Sequence, residues 1–174
     1  AMICVPLSVL VAQKIGKKRT YQLALLILAT GCFAMFLFAH TLGMYFTLGV
    51  MVYAGGGIGF GYVPPFAMLP DVVEVDAVQT KSRRDGAYYG MWTFFSKIGV
   101  ALAGALTGVF LNMAGYVADA YQQTDSTIFT IRVLLGLVPP LIFLLGIWIV
   151  RRYRLDEEAY NTIMAEQAPA TAAD

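Results

Sequence analysis

Four stretches of this 174-residue chain, 20–39, 44–69, 86–114 and 128–150, are apolar over lengths sufficient to cross a bilayer. An α-helix of about 20 residues spans the hydrocarbon core. The stretches are rich in glycine and aromatic residues, as spanning helices are. Of all residues, 59% are hydrophobic and 13% charged, whereas a soluble domain carries roughly 25% charged residues. The expected fold class is therefore all-α, a polytopic membrane helix bundle, and a soluble globular domain is excluded.

Charge placement sets the expected topology. Ten of the twelve Lys and Arg residues fall in 14–19, 81–84 and 151–154. The alternate connections, 40–43 and 115–127, carry none, and 115–127 holds Asp119 and Asp125. Basic connections stay on the cytoplasmic side. The expected order is the end of a helix over 1–12, a basic cytoplasmic loop over 13–19, helices over 20–39 and 44–69, and a charged cytoplasmic loop over 70–85. A helix over 86–114, an external loop over 115–127, a helix over 128–150 and a cytoplasmic tail over 151–174 follow. The tail is expected to start as a short acidic helix and to end without structure. Residues 1–12 are too short to span, and no basic run precedes them as it would in a signal peptide. The chain is thus expected to begin midway through a helix and to be the C-terminal part of a larger protein. Cys4 and Cys32 read as small buried hydrophobes, and His40 as an interfacial polar residue.

Within this frame the stretch 69–99 stands out. Asp71, Glu74 and Asp76 precede Lys81, Arg83 and Arg84, so acids gather where one helix leaves the membrane and bases where the next enters. Opposed charges of this kind, each exposed pair contributing only about 0–1 kcal/mol, suit a latch that opens and closes. Lys97 lies roughly 18 Å along the helix from Asp85, near the middle of a core about 30 Å thick. A lysine at that depth is costly and marks a functional site. Tyr89, Thr93 and Lys97 share one helix face, which Ala101, Gly104 and Gly108 continue as a groove of small residues. The stretch 44–69 carries Gly55/Gly59 and Gly57/Gly61 at close-packing spacing, then Pro64-Pro65. It reads either as a broken, moving helix on a substrate path or as a closely packed one. Arg132 is expected in the first turn of the last helix in a structural role, and Pro139-Pro140 are expected to kink that helix.

No catalytic motif is present, neither HExxH, GxSxG nor a P-loop, so no catalytic residue, metal site or enzymatic activity is expected. Broken helices around a mid-membrane charge fit a transporter. The run Leu69-Pro70-Asp71-Val72-Val73-Glu74, then Arg83-Arg84-Asp85-Gly86, then Thr93-Phe94-Phe95-Ser96-Lys97 resembles the glycoside–pentoside–hexuronide:cation symporters. These are the melibiose-permease-like family of the major facilitator superfamily. Gly16-Lys17-Lys18-Arg19 is similar to that superfamily's basic loop between helices eight and nine, and the resemblance covers nearly all of residues 1–155.

The resemblance implies a twelve-helix fold in two halves, of which this chain holds the end of helix eight and helices nine to twelve. It implies that Lys97 lies by the cation and sugar sites, with Thr93 close to the sugar and Tyr62 as a bordering aromatic. Trp92 stands where the family's permease has a polar side chain. Asp71, Glu74, Arg83 and Arg84 are implied members of the cytoplasmic charge latch. With Tyr89, these make the candidate site. The implied activity is cation-coupled symport of a sugar or glycoside by alternating access, with Na⁺ or H⁺ as coupling ion and no organic cofactor. The implied partners are a small solute, a monovalent cation, membrane lipids and the N-terminal half that supplies the acidic cation ligands. Nucleic acid is not among them. The implied location is a bacterial inner membrane with the C-terminus cytoplasmic. Met68 to Val73 and the aromatics Tyr88, Tyr89, Trp92, Phe94 and Phe95 are also similar to sodium-coupled lysophospholipid symporters of the same superfamily. A non-transporting scaffold or sensor, with Lys97 in a structural ion pair, is the third reading.

Overall fold

The computed structural model describes residues 4–118, 120, 122–153 and 160–165. Residues 1–3, Asp119, Tyr121, Arg154, and the tail segments 155–159 and 166–174 lie outside the described residues, and with them most of the expected acidic tail. The chain order is α1 (Cys4–Ile15), α2 (Lys17–Thr80), α3 (Asp85–Met113), α4 (Asp125–Gly136) and α5 (Val138–Arg151), with a further helical turn over 160–165. Four spans are long and apolar enough to cross a membrane: Lys17–Ala39, Thr41–Thr80, Asp85–Met113 and Asp125–Arg151. The protein is an integral membrane protein with an all-α fold.

α2 is two antiparallel arms joined at Gly43, whose φ of 72° and ψ of −162° leave the helical region. Only glycine adopts that conformation without strain, so the hairpin turns there. The arms approach closely because glycines face the partner arm. A Cβ at Gly57 would stand 2.9 Å from Ile27 Cγ2, and one at Gly61 would stand 3.4 Å from the Ala24 Cβ. Higher up, Tyr53 packs on Gly31, and its hydroxyl lies 3.1 Å from the Thr30 hydroxyl. The spacing Gly57/Gly61 thus serves close packing.

The second arm is continuous through Pro64, Pro65 and Pro70 and ends at Thr80, with Lys81 in the left-handed conformation after it. No break occurs at the proline pair, and residues 70–80 are helix instead of loop. Charge marks where the bilayer ends, not where the helix ends. Val73 and Val75 are buried, keeping the extension docked. At 1.5 Å per residue the 40 residues from Thr41 to Thr80 reach about 60 Å, twice the thickness of the hydrocarbon core.

The connection between α1 and α2 is shorter than 13–19. It is Gly16 alone, at φ 87°, with the Thr20 hydroxyl returning to the Gly16 carbonyl at 2.9 Å. α1 is tied to the second arm of α2 by Ser8 Oγ, which donates to the Phe60 carbonyl at 3.2 Å. The last span is broken at Leu137, between α4 and α5. Pro139 and Pro140 cannot donate backbone bonds to the preceding turn, and they sit where α5 starts, a position proline tolerates.

Arg132 lies two turns inside α4, because that helix starts at Asp125, capped by Thr124. It donates to the Phe36 carbonyl at 3.0 Å and lies over the Phe36 ring. One turn later Gly136 meets the Phe36 backbone, where a Cβ would come within 3.0 Å of both Cα and N. The arginine therefore ties α4 to the first arm of α2, about two turns before Gly43.

α3 is the exception to this packing. None of its residues is buried. It touches α2 through Phe66 and Trp92, whose ring centroids are 6.0 Å apart, and reaches α4 through Thr127 Oγ1, which donates to the Ala114 carbonyl at 2.8 Å. Its remaining surface, including Phe94, Phe95, Leu102 and Phe110, is exposed.

Candidate functional site

The expected site residues fall in two groups, one on α3 and one at the basic end of the bundle. α3 is an unbroken helix from Asp85, so Tyr89, Thr93 and Lys97 keep the shared face that their spacing demands. All three are exposed, and among the described residues Lys97 has no hydrogen-bond or ion-pair partner. Ala101, Gly104 and Gly108 are exposed along the same helix, and nothing lies within 4 Å of where a Cβ would stand on either glycine. The face is a wall with a cation in it and open space before it.

Trp92 lies about 140° round the helix from Lys97 at 100° per residue. It packs on Phe66, which in turn packs on Tyr62 with centroids 5.0 Å apart. Tyr62 and Trp92 are thus joined through Phe66 in an aromatic run, while Lys97 is turned to the side of α3 that α2 leaves free. Phe66 was not among the expected site residues. Its i, i+4 spacing from Tyr62 is the sequence signal that points to it.

At the basic end, the four expected latch residues do not pair with one another. Asp71 Oδ2 accepts from Lys17 Nζ at 2.7 Å, with the two side chains 24% and 32% exposed. This bond ties the start of the first arm of α2 to the extension of the second. Arg84 Nη2 donates to Asp76 Oδ1 at 3.0 Å, while Asp76 Oδ2 is buried and has no partner among the described residues. Arg83 reaches Asp85 at 3.8 Å. Glu74 accepts from the Tyr160 hydroxyl, and this bond, foremost, holds the phenol up to about 12. Lys18 Nζ donates to the Tyr153 carbonyl at 2.6 Å, bringing the first basic cluster against the third. Asp76 belongs to the acidic cluster read from the sequence, whereas Lys17 and Tyr160 are partners outside the expected latch. Lys17 belongs to the Gly16–Arg19 basic run, whereas Tyr160 has no local sequence signal. Burial, then the charge of Asp71, pushes the Tyr153 phenol up. Among the described residues no three His, Cys, Asp or Glu side chains converge to hold an ion.

Comparison with known proteins gives the family. Residues 1–157 match the profile of the family described as MFS/sugar transport protein. The chain is 30% identical over 168 residues to the uncharacterized symporter YnaJ of Bacillus subtilis, a match covering 95% of this chain and 35% of the relative. It is 29% identical over 173 residues to the putative sulfoquinovose importer of Salmonella typhimurium, covering 97% of this chain and 36% of that protein. It is 31% identical over 111 residues to the sodium-dependent lysophosphatidylcholine symporter 1-A of Danio rerio, covering 63% of this chain and 21% of that protein. The chain spans about a third of the length of the first two. From profile and relatives together, the chain belongs to the MFS/sugar transport protein family, the melibiose-permease-like symporters of the major facilitator superfamily.

Proposed function

We propose that the chain is the C-terminal part of a cation-coupled symporter that moves a sugar or glycoside by alternating access. The observation that carries this reading is Lys97, a cation near mid-span on an α3 face that no other described residue covers. An ammonium at that depth needs an anionic neighbour. Helices supplied by the rest of the protein bring carboxylates to this face, and a bound cation competes with Lys97 for them. Solute binding beside Thr93 and Tyr89 then follows cation occupancy. Sodium is the favoured coupling ion, in line with the sodium-dependent relative. The charged network around Lys17, Asp71, Asp76 and Arg84 lies on the cytoplasmic side of a bacterial inner membrane and holds that side closed between cycles.

A second reading is transport of a lysophospholipid. The apolar run Tyr62–Phe66–Trp92 suits an acyl chain, and the fish relative is named for such a substrate. Uptake by the full-length protein in proteoliposomes separates the two. Sugars accumulating under an imposed Na⁺ or H⁺ gradient support the first reading. Accumulation of lysophosphatidylcholine instead supports the second, and no gradient-driven uptake of either contradicts both.

A further inference from the structure

Between the two arms of α2, α3 and the end of α5 lies a cavity of about 450 Å³ at the basic end of the bundle. Its walls are carbon: Pro65, Met68, Leu69 and Val72 from α2, Ile149 and Val150 from α5. Tyr21, Trp92, Arg152 and Tyr153 complete the lining. Arg152 lies with its guanidinium carbon 4.4 Å from the Trp148 ring centroid. That contact leaves its N–H donors uncommitted, and among the described residues Arg152 has no hydrogen-bond or ion-pair partner. The Tyr153 hydroxyl is buried and, among the described residues, also lacks a partner. Burial and the nearby charge of Asp71 keep it protonated, so it is a donor. Among the described residues no acidic side chain lines the cavity, and the carboxylate acting on Tyr153, that of Asp71, is taken by Lys17.

We propose that this cavity holds one acyl chain of an anionic phospholipid, with the lipid phosphate on Arg152 and Tyr153. The occupant follows from the carbon walls and the two polar groups. A sugar would leave hydroxyl groups unpaired against the carbon walls, which is costly. A zwitterionic lipid fits the walls and leaves a second charge beside Arg152, with Lys18 close by at the Tyr153 carbonyl. An anionic lipid satisfies the walls, the guanidinium and the unpartnered hydroxyl together. Trp92, at the end of the aromatic run, lines the cavity, whereas Thr93 and Lys97 do not, and lipid retention is read without a gradient, so failure of this proposal and failure of the transport reading are distinguishable.

Native mass spectrometry of the full-length protein, delipidated and then incubated with phosphatidylglycerol, phosphatidylcholine or inorganic phosphate, tests it. Phosphatidylglycerol is expected to be retained about tenfold better than phosphatidylcholine, whose choline places a second positive charge beside Arg152. Arg152→Gln removes that preference, and Tyr153→Phe, which deletes one oxygen, weakens it. Val72→Phe fills the cavity and lowers retention of both lipids. Equal retention of the two lipids by the wild type overturns the proposal. So does full phosphatidylglycerol retention by Tyr153→Phe and Arg152→Gln alike, or by Val72→Phe. Displacement of phosphatidylglycerol by inorganic phosphate overturns the acyl-chain half, since a headgroup site alone would behave so.

Discussion

Gly55 and Gly57 are two residues apart on one helix, yet their surroundings are opposite. Nothing stands near Gly55, whereas Gly57 faces Ile27 Cγ2 at 2.9 Å from an added Cβ. Gly57→Val forces the arms of α2 apart and is expected to destabilise by about 1–3 kcal/mol. Gly55→Ala gains the helix preference of alanine, about 0.5–1 kcal/mol. Thermal unfolding in detergent should shift down for the first and not for the second. Glycine spacing in the sequence marks both pairs alike and does not say which glycine meets a neighbour. Arg132 shows the same limit. A short hop to the membrane surface is what its place in the apolar run implies, but its partner is the Phe36 carbonyl, 96 residues away. A contact between helices that distant in the chain leaves no local trace.

At the scale of elements, the spans were legible and their ends were not. Length and apolarity locate the four spans because the bilayer sets both. The hairpin turn near Gly43 and the break at the Pro139-Pro140 pair were also legible, since backbone freedom and a missing donor act locally. The extension of α2 to Thr80 was not, because its charged residues read as the end of the helix when they only mark its exit from the apolar layer. Gly43→Ala tests the hinge. Alanine at φ 72°, ψ −162° is strained by about 1–3 kcal/mol. The expected result is a lower unfolding temperature with helical circular dichroism unchanged at ambient temperature. An unaltered unfolding temperature would show that the turn does not depend on that backbone conformation.

At the level of the whole bundle, α1, α2, α4 and α5 pack together while α3 stands clear, its lysine without a partner among the described residues. Two of the pairs at the basic end join residues far apart in sequence: 54 positions for Lys17 and Asp71, 86 for Glu74 and Tyr160. The charge clusters were legible as clusters, but not their pairing, which depends on how the arms of α2 fold back. Asp71→Lys is expected to destabilise the basic end, and the double exchange Lys17→Asp with Asp71→Lys to recover about 1 kcal/mol in a double-mutant cycle on unfolding. Additive effects would show that the bond contributes nothing. In the proposed function the lone lysine of α3 couples cation and solute. The most direct test compares solute uptake by the full-length protein and its Lys97→Ala variant in proteoliposomes, with and without an imposed Na⁺ gradient. The variant is expected to insert in the membrane and to lose gradient-driven uptake. Gradient-driven uptake at the wild-type rate in Lys97→Ala would contradict that role.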